Sequence, residues 1–486
     1  MPLNLAELFC RQAEAQPTHP AILGPQEGSI ASYAELQAEM QTLAAHLCAA
    51  GIRAGMNIGL HYPGGQRYIA FTYALWLCGA CVTPVPMELA DEEKQQILRH
   101  IAIDGVISTA DIALFADFAV GAAVSLTDKA VFLQANALRE APPELAGLNP
   151  AFIRFTSGTT GDAKGVILSH ETIYERIQAV NEGLHIGPAD RVVWLLSMAY
   201  HFAVSIVAYL TFGATIVLSK NSFGSSILHA ANRYDATLIY AAPTHYDLMT
   251  HDSNAQLPQS LRLAIVTTAY LRPDIALAFR QRFGVALNET YGIIEIGLPA
   301  INLDSPKDKQ GSVGRVLPAY EVKLDGQDED GIGEILLRGP GLLDAYYQPW
   351  KSRPQILEQR GGWLATGDLG LIDGDGFLFI VGRSKEMISV AGMKFFPQEV
   401  ETVLESHPAV QGACVFAVKT RRLGETPMAH LVLAAGYEPP TEAELKSHCA
   451  EHLASYKIPE QFGWVENLAR TASGKLIRNA DKLLQP

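Results

Sequence analysis

The sequence predicts an α/β protein: a large N-terminal domain of mostly parallel sheets flanked by helices, with a small β-barrel-like unit, followed by a small α+β C-terminal domain. In the first half of the chain, short apolar strand patterns alternate with helical patterns, which is typical of parallel sheets joined by crossover helices. After about residue 300, short alternating runs with tight turns indicate antiparallel strands. A chain of 486 residues is also too long for one compact core.

In the first half, residues 32–50 are predicted to form an amphipathic helix, because Ser32 and Glu35 make the Ser-x-x-Glu pattern of a capping box. Buried strands are predicted at 57–61, 80–85, 151–155, 166–168, 237–241 and 263–267. The stretches 68–87 and 192–219 contain no Asp, Glu, Lys or Arg. Prolines in the first, and a histidine and a glycine in the second, favour a buried helix running into a buried strand over a membrane span.

In the second half, strands are predicted at 321–324, 333–338, 377–381, 412–418 and 429–434, and helices at 397–406 and 442–453. The Asp-Gly-Asp-Gly run at 373–376 predicts a tight turn. We therefore expect a domain boundary near Lys385, which separates a large domain (1–384, with about 300–383 as its β-rich part) from a C-terminal domain (385–486).

Charge and cysteine content exclude several classes of protein. The net charge is −14 and no long basic run is present, which argues against nucleic acid as a partner. The 6 cysteines are too sparse for a disulfide framework. Cys78 and Cys81 form a lone CxxC pair, for which buried thiols are favoured over a metal or redox site. The N-terminus lacks the pattern of a secretory signal, so a cytoplasmic protein is expected.

The most informative segment is the Gly-, Ser- and Thr-rich run from Thr156 to Gly165, which lies between two strand-like runs. Its glycines allow backbone N–H groups to approach a polyphosphate closely. Phosphate oxygens could also be bound by the side chains of Thr156, Ser157, Thr159, Thr160 and Lys164, with Gly158 between them. A Walker loop would need Lys followed by Ser or Thr before a helix, and Lys164 is followed by Gly165.

This run matches the T-S-G-T-T-G-x-x-K-G loop of the adenylate-forming superfamily, which includes acyl- and aryl-CoA synthetases, peptide-synthetase adenylation domains and firefly luciferase. Further segments resemble that family in the same order: Tyr291–Glu295, Gly333–Gly339 with Tyr346, Thr366–Asp368, Gly382–Arg383, Gly392, Glu399–Glu401 and Arg470–Lys475. The resemblance covers residues from about 150 to 478. It implies an ATP- and Mg²⁺-dependent ligase that activates a carboxylic acid as its acyl-AMP and transfers the acyl group to a thiol.

The resemblance also assigns roles to single residues. Glu295 is the expected Mg²⁺ ligand, since a carboxylate suits a hard cation. Tyr291 is expected to pack on adenine, and Asp368 and Arg383 are expected to bind the ribose. Ala269 is also expected to be one of the residues that bind the nucleotide. Lys475 is expected to bridge the carboxylate and the α-phosphate, where negative charge builds up.

For thiol transfer, the resemblance implies a mobile C-terminal domain that pivots on Lys385 and brings Gly392 to the pantetheine tunnel. His201 is expected near the acyl carbonyl, where it gates the thiol; a packed histidine in an apolar helix is an equal alternative. Ile294 replaces the usual Thr of the family's Y-G-x-T-E motif, which puts one phosphate contact in question.

The substrate pocket is predicted to contain the aromatic residues Phe202, Tyr240, Tyr246 and Tyr270. The peptide-synthetase adenylation domains that this chain resembles usually place an Asp in this region to pair the substrate amine. Residues 200–204 contain no acid, so the resemblance favours an apolar acyl or aryl acid over an amino acid. The expected acceptor is CoA or the phosphopantetheine of a carrier protein acting in trans, and the expected assembly is a monomer or homodimer. The alternatives are a luciferase-like oxygenase and a nucleotide-binding regulator without catalysis.

Overall fold

The computed structural model describes residues 2–25, 30–109, 113–135, 140–156, 164–252, 255–390, 393–420, 424–470, 476–478 and 480–483. Within these ranges the α-helices, numbered α1 to α14 in chain order, are Leu5–Ala15, Tyr33–Ala49, Gln66–Leu77, Asp91–His100, His170–Leu184, Met198–His201, Ile206–Thr211, Gly224–Arg233, Pro243–Thr250, Pro273–Phe283, Arg353–Glu358, Pro397–Glu405, Glu442–Ala450 and Ala480–Leu483.

The strands, numbered β1 to β26 in the same way, are Pro20–Leu23, Ile30–Ser32, Asn57–His61, Cys81–Pro84, Gly105–Ser108, Val124–Thr127, Ala130–Gln134, Pro150–Thr156, Lys164–Ser169, Arg191–Trp194, Thr215–Leu218, Leu238–Ala241, Leu263–Val266, Asn288–Ile293, Gly297–Ile301, Glu321–Asp325, Gly333–Arg338, Ala345–Tyr346, Lys351–Ser352, Leu364–Ile372, Leu378–Arg383, Ile388–Val390, Met393–Phe395, Val410–Thr420, Gly424–Leu433 and Gln461–Trp464.

The described residues divide into two compact units. The first contains residues up to 322 together with 337–364, and the second contains 323–336 together with the residues from 365 onward. The predicted division at 384/385 differs from this one, because the β-rich residues after 364 cluster with the C-terminal part of the chain. The predicted boundary between cooperating domains stays a prediction.

The first unit is built on two large sheets. One has eight strands in the order β15-β14-β13-β12-β10-β11-β1-β2, and its central pairs from β14 to β1 are all parallel. The other has nine strands in the order β19-β18-β9-β8-β4-β3-β5-β7-β6, in which β5, β3, β4 and β8 pair in parallel. Several of the parallel strands, such as β10 and β12, have apolar residues on both faces, as strands covered by helices require.

The second unit contains two smaller sheets. A four-stranded sheet has the order β16-β17-β20-β21, with β20 and β21 antiparallel. These strands belong to the β-rich part of the chain that the sequence predicted after about residue 300. A five-stranded sheet has the order β23-β22-β25-β24, with β26 beside β25, and it packs with α12 and α13 around a core that includes Val400, Leu404, Val415 and Leu445. The α/β fold class is confirmed.

Local predictions held where a specific side-chain contact supported them. Ser32 caps α2 by accepting from the backbone N–H of Glu35, whose carboxylate accepts from the Ser32 N–H at 2.8 Å, so the capping box is present. The stretch 68–87 is helix α3 followed by β4, as predicted. The prediction for 192–219 missed a strand, because the stretch begins in β10 and continues through the short helices α6 and α7 to β11.

Among the described residues, no helix combines the length and the apolar character needed to cross a membrane. Cys81 is buried, as predicted, but Cys78 is only partly buried. The thiol of Cys78 lies 3.3 Å from that of Cys48 on α2. The CxxC pair is therefore split between the core and the surface.

Candidate active site

Glu295, the predicted metal ligand, lies in the turn between β14 and β15. Its position is fixed by the backbone, since the N–H of Leu343 donates to the Glu295 carbonyl at 2.7 Å. The Tyr346 hydroxyl donates to Oε1 of Glu295 at 3.2 Å. Burial and the nearby Glu295 charge raise the pKa of Tyr346, so its hydroxyl keeps its proton and acts as the donor. Two residues that the sequence singled out separately, Glu295 and Tyr346, are thus brought together.

Tyr291 and Ala269 lie in the same unit at the carboxyl ends of neighbouring strands. Tyr291 is a buried residue of β14 and pairs with Ala300 on β15. Ala269 is exposed in the loop that follows β13. Thr268, in the same loop, has a φ of +77°, which is a costly conformation for a β-branched residue. Such strain is common where a loop is shaped to contact a ligand.

An aromatic cluster surrounds His201, and one of its members was missed by the sequence analysis. The rings of Trp194 and Tyr240 stack with centroids 5.4 Å apart and an interplanar angle of 8°. His201 packs edge-on against both rings, at 6.1 Å and 6.3 Å. The indole N–H of Trp194 is buried and has no hydrogen-bond partner among the described residues. Trp194 escaped attention because it ends β10, the strand that the sequence analysis missed.

The other three predicted pocket residues are arranged differently. Phe202 is buried in the core, where its ring packs against Tyr68, Tyr73, Trp76 and Phe152. Tyr246 is also a core residue, with its hydroxyl within hydrogen-bond distance of the carbonyls of Ile239 and Ile265, at 3.0 and 2.8 Å. Tyr270 is 49% exposed. Among the four predicted residues, therefore, Tyr240 is the one that the described contacts place beside His201.

In the second unit, the predicted ribose ligands are adjacent. Asp368 on β20 and Arg383 on β21 are register partners, and Nε of Arg383 lies 3.1 Å from Oδ1 of Asp368. Asp368 is only 5% exposed. The Thr366 hydroxyl accepts from the backbone N–H of Asp368 at 3.1 Å, and Gly367 between them has a φ of +73°, which favours glycine. This turn holds the carboxylate beside the guanidinium.

Comparisons with known proteins show the family of this chain. A family model described as AMP-binding enzyme matches residues 9–347, and one described as AMP-binding enzyme C-terminal domain matches residues 399–475. The chain belongs to the AMP-binding enzyme family. The sulfoacetate–CoA ligase of Cupriavidus necator is 30% identical to this chain, over 98% of the chain and 96% of the relative.

Two solved structures of the o-succinylbenzoate CoA synthetase from Bacillus subtilis are also similar. The complex with its acyl-adenylate intermediate has a TM-score of 0.82 and 27% identity, covering 98% of this chain and 97% of that chain. The complex with ATP and a magnesium ion has a TM-score of 0.79 and 27% identity, covering 98% and 99%. The predicted family and the predicted class of acid–thiol ligase are confirmed by these relatives.

In this AMP-binding enzyme, several predicted site residues lie outside the described residues: Ser157, Gly158, Thr159, Thr160, Gly392 and Lys475. Thr156 and Lys164 are described as the ends of the antiparallel pair β8 and β9, but their side chains are not. Lys385 is exposed in a short 3-10 helix that follows β21. The roles predicted for these residues stay predictions.

The segments on both sides of Lys475 are anchored in the second unit. Arg470 and Leu476 form an antiparallel bridge, and the N–H of Ile477 donates to the Ala469 carbonyl at 2.9 Å. Arg478 then donates to Glu401 at 2.8 Å and 3.1 Å and to Glu386 at 2.9 Å. Burial alone lowers the pKa of Arg478, but the two carboxylates outweigh it and the pKa is raised. Sequence reasoning missed this anchor.

Two further arginines of the AMP-binding enzyme were missed, and both interact electrostatically with Glu295. Arg154 on β8 donates from Nη1 to the Tyr200 carbonyl at 2.7 Å. Arg176 on α5 is fully buried and donates from Nε to the Gly341 carbonyl at 2.5 Å. Burial lowers the pKa of both, that of Arg176 to about 10, and Glu295 partly offsets this. For Arg154 a signal existed, namely one charge within an otherwise apolar strand.

One group outside this site has the composition of a metal site. Ligand atoms of His448, Glu451 and His452 lie within 4.8 Å of one another. The Nε2 of His448 lies 2.9 Å from the Val403 carbonyl, which leaves Nδ1 as its remaining ligand atom. Glu451 and His452 are exposed, and the group lies on and just after α13.

Proposed function

We propose that this chain is an AMP-forming acid–CoA ligase. In the first step a carboxylate oxygen of the substrate attacks the α-phosphorus of ATP, the bond to pyrophosphate breaks, and an acyl-AMP forms. In the second step a thiolate attacks the acyl carbon, a thioester forms and AMP leaves. The observation that carries the proposal is the match, along nearly the whole chain, to a CoA ligase.

The described residues of the first unit fit the first step. Among the described residues, the Glu295 carboxylate accepts one hydrogen bond, from the Tyr346 hydroxyl. Mg²⁺ in phosphate-transferring sites is commonly held by one or two carboxylates together with substrate phosphates and water. When bound there, Mg²⁺ would neutralise charge on the phosphates of ATP. Tyr346 would keep the Glu295 carboxylate oriented toward the ion.

In the second unit, Asp368 and Arg383 fit ribose binding. A carboxylate accepts two hydrogen bonds, so Asp368 can take both ribose hydroxyls while Arg383 holds it in place. We assign Lys475 to the meeting point of the substrate carboxylate and the α-phosphate. The bridge between Arg470 and Leu476, together with the ion pairs of Arg478, would fix the ends of its loop.

For the acid, the stacked pair of Trp194 and Tyr240 provides a flat apolar wall beside His201. We assign an acyl or aryl body to that wall and propose that His201 gates the thiol. The names of the relatives denote different acids and leave the substrate open. We propose CoA as the acceptor, with a carrier protein as the alternative thiol, and a monomer or homodimer in the cytoplasm, where free cysteines such as those of this chain persist.

Exchange of labelled pyrophosphate into ATP, measured with a panel of acids, tests the first step. The substitution Lys475→Ala should lower the exchange rate about 100- to 1000-fold, because one charged donor to the developing negative charge is lost. Lys446→Ala is the matched control, since Lys446 is a lysine of the same unit that pairs with Glu442 at the surface. An exchange rate that survives Lys475→Ala would refute the assignment of this lysine.

The second step is tested by offering CoA or a holo-carrier protein to the preformed adenylate. Lys385→Pro should slow thioester formation while pyrophosphate exchange continues, because proline restricts the backbone at the proposed pivot. Equal loss of both steps would contradict the pivot. If the thioester formed only on a carrier protein, the carrier protein and not CoA would be the acceptor.

A further inference from the structure

Arg154 is the charged residue of β8, and the other residues from 151 to 155 are apolar. Its neighbours Ile153 and Phe152 alternate, as strand residues do: Ile153 packs into one core with Ile101 and Ile167, and Phe152 packs against Phe202 on the opposite face. Arg154 shares the face of Phe152. It therefore projects toward the segment that contains Tyr200 and His201.

The guanidinium of Arg154 is only partly bonded. Nη1 donates to the Tyr200 carbonyl at 2.7 Å, and the guanidinium carbon lies 5.0 Å from the centre of the Tyr200 ring. Nε is buried and has no hydrogen-bond partner among the described residues. Within the same residues, no carboxylate is ion-paired to Arg154. An arginine has five N–H donors, and leaving a buried donor without a partner is unfavourable.

These features match a binding site for an anion. A planar guanidinium donates two parallel N–H bonds to a carboxylate or a sulfonate, and the stack on Tyr200 fixes the plane in which it does so. Tyr200 is followed directly by His201, which packs against the stacked Trp194 and Tyr240. The Arg154 guanidinium therefore lies against the residue that precedes His201, and His201 in turn packs against the aromatic wall proposed for the acyl body.

Provided that the proposed ligase function is correct, we propose that the acid activated by this chain carries a second anionic group, a carboxylate or sulfonate, which Arg154 binds. The substrate then has one carboxylate that reacts with ATP and a second anion that does not. Arg154 is a residue that determines specificity, because an acid without the second anion leaves its buried donors unpaired. The aromatic residues alone suggested a purely apolar acid. The inference adds a second anionic group to that apolar body.

The test uses matched pairs of acids that differ only in the second anion, such as homophthalate with phenylacetate and succinate with its monomethyl ester. Pyrophosphate exchange gives kcat/KM for each acid, and the ratio within a pair measures the preference. We expect the wild type to prefer the dianionic member. Arg154→Met should lower that preference about 10- to 150-fold, as expected for the loss of charge-assisted hydrogen bonds.

Arg282→Met is the matched control. Arg282 also stacks on a ring, that of Phe283 at 4.8 Å, and also donates to backbone carbonyls, those of Asp252 and Ala255. It should leave the preference ratio unchanged. Arg154→Lys, which keeps the charge but loses the planar fork, should give an intermediate ratio, and it provides a second variant if Arg154→Met unfolds.

The outcomes separate this inference from the proposed function. Exchange that favours the monoanionic acids in the wild type would overturn the role of Arg154 and leave the ligase function standing. A preference ratio unchanged by Arg154→Met, with a raised KM for ATP, would indicate that Arg154 binds a phosphate of the nucleotide. That result would overturn the inference as well. No exchange with any acid would refute the ligase function and the inference together.

Discussion

The arginines beside the candidate site residues are held in opposite ways in the two units. In the second unit, Arg383 pairs with Asp368, and Arg478 pairs with both Glu386 and Glu401. In the first unit, Arg154 and Arg176 donate to backbone carbonyls, and among the described residues buried guanidinium nitrogens of both have no hydrogen-bond partner. Arg383 is 41% exposed, but Arg478, Arg154 and Arg176 are all at least partly buried, so among these three arginines the difference is in the partners.

This difference separates two uses of a buried cation. An arginine that is fully paired with carboxylates holds segments together, and removing it leaves buried negative charge without compensation. An arginine with unpaired donors contributes less to stability and keeps its hydrogen-bonding capacity for a ligand. The pKa values follow the same division, because the pKa of Arg478 is raised by its carboxylates while the pKa of Arg154 and that of Arg176 are lowered by burial.

The largest effect is expected for Arg478→Met. This change leaves Glu386 and Glu401 without their cation, and it should lower the free energy of unfolding of the second unit by about 3 to 5 kcal/mol. Because Arg478 follows the Lys475 loop, displacement of that loop should also slow pyrophosphate exchange about 100-fold. Urea denaturation and exchange kinetics measure the two losses.

Two further variants check the cause. Lys446→Met removes an exposed ion pair of the same unit, and it should cost less than about 1 kcal/mol. The double variant Arg478→Met with Glu401→Gln should recover part of the stability, because it removes the buried charge that the single variant leaves behind. A single variant as stable as the wild type would show that the ion pairs of Arg478 do not hold this segment.

An intermediate effect is expected at Glu289, a buried acid of β14 that has no cation bonded to it among the described residues. Burial raises its pKa to about 7, although the Gly311 N–H, which donates at 2.6 Å, opposes part of this shift. The folded protein therefore holds this proton more tightly than the unfolded chain does. The resulting stability is fully present below the ordinary pKa of 4.5 and is lost as the pH rises toward 7.

Glu289→Gln removes this pH dependence. At pH 8 the variant should be more stable than the wild type by about 1 to 3 kcal/mol, and near pH 4.5 the two should be equal. Glu182→Gln changes an exposed glutamate of α5 and serves as the control. Chemical denaturation at a series of pH values measures the difference. A constant difference between wild type and Glu289→Gln at all pH values would contradict the raised pKa.

The sequence predicted the elements of this fold better than the contacts between them. Ser32 and Glu35 are close in sequence, so their pattern alone predicted the capping box that the structure contains. The contact of Asp368 with Arg383 depends on the register of β20 and β21, and no pattern in either motif determines that register.

Residue type was a weak guide to the pocket for a similar reason. Phe202, Tyr246 and Tyr240 are all aromatic, and the last two are also close in sequence. Packing placed the first two in cores and the third beside His201. An apolar aromatic side chain serves equally well in a core or in a pocket wall, so only the three-dimensional contacts distinguish them.

The smallest effect is expected for Arg176→Met, which tests the comparison on a buried arginine that is not paired with any described carboxylate. Arg176 is fully buried, with 0% exposure. Among the described residues it makes one hydrogen bond, to the Gly341 carbonyl. Replacing a buried, incompletely paired charge with an apolar side chain of similar length is often neutral or stabilising. We expect the free energy of unfolding to change by about 1 kcal/mol or less, measured by urea denaturation alongside Arg478→Met. A loss as large as that of Arg478→Met would mean that bound water or an anion satisfies the Arg176 nitrogens, and burial rather than pairing would then decide what each arginine contributes.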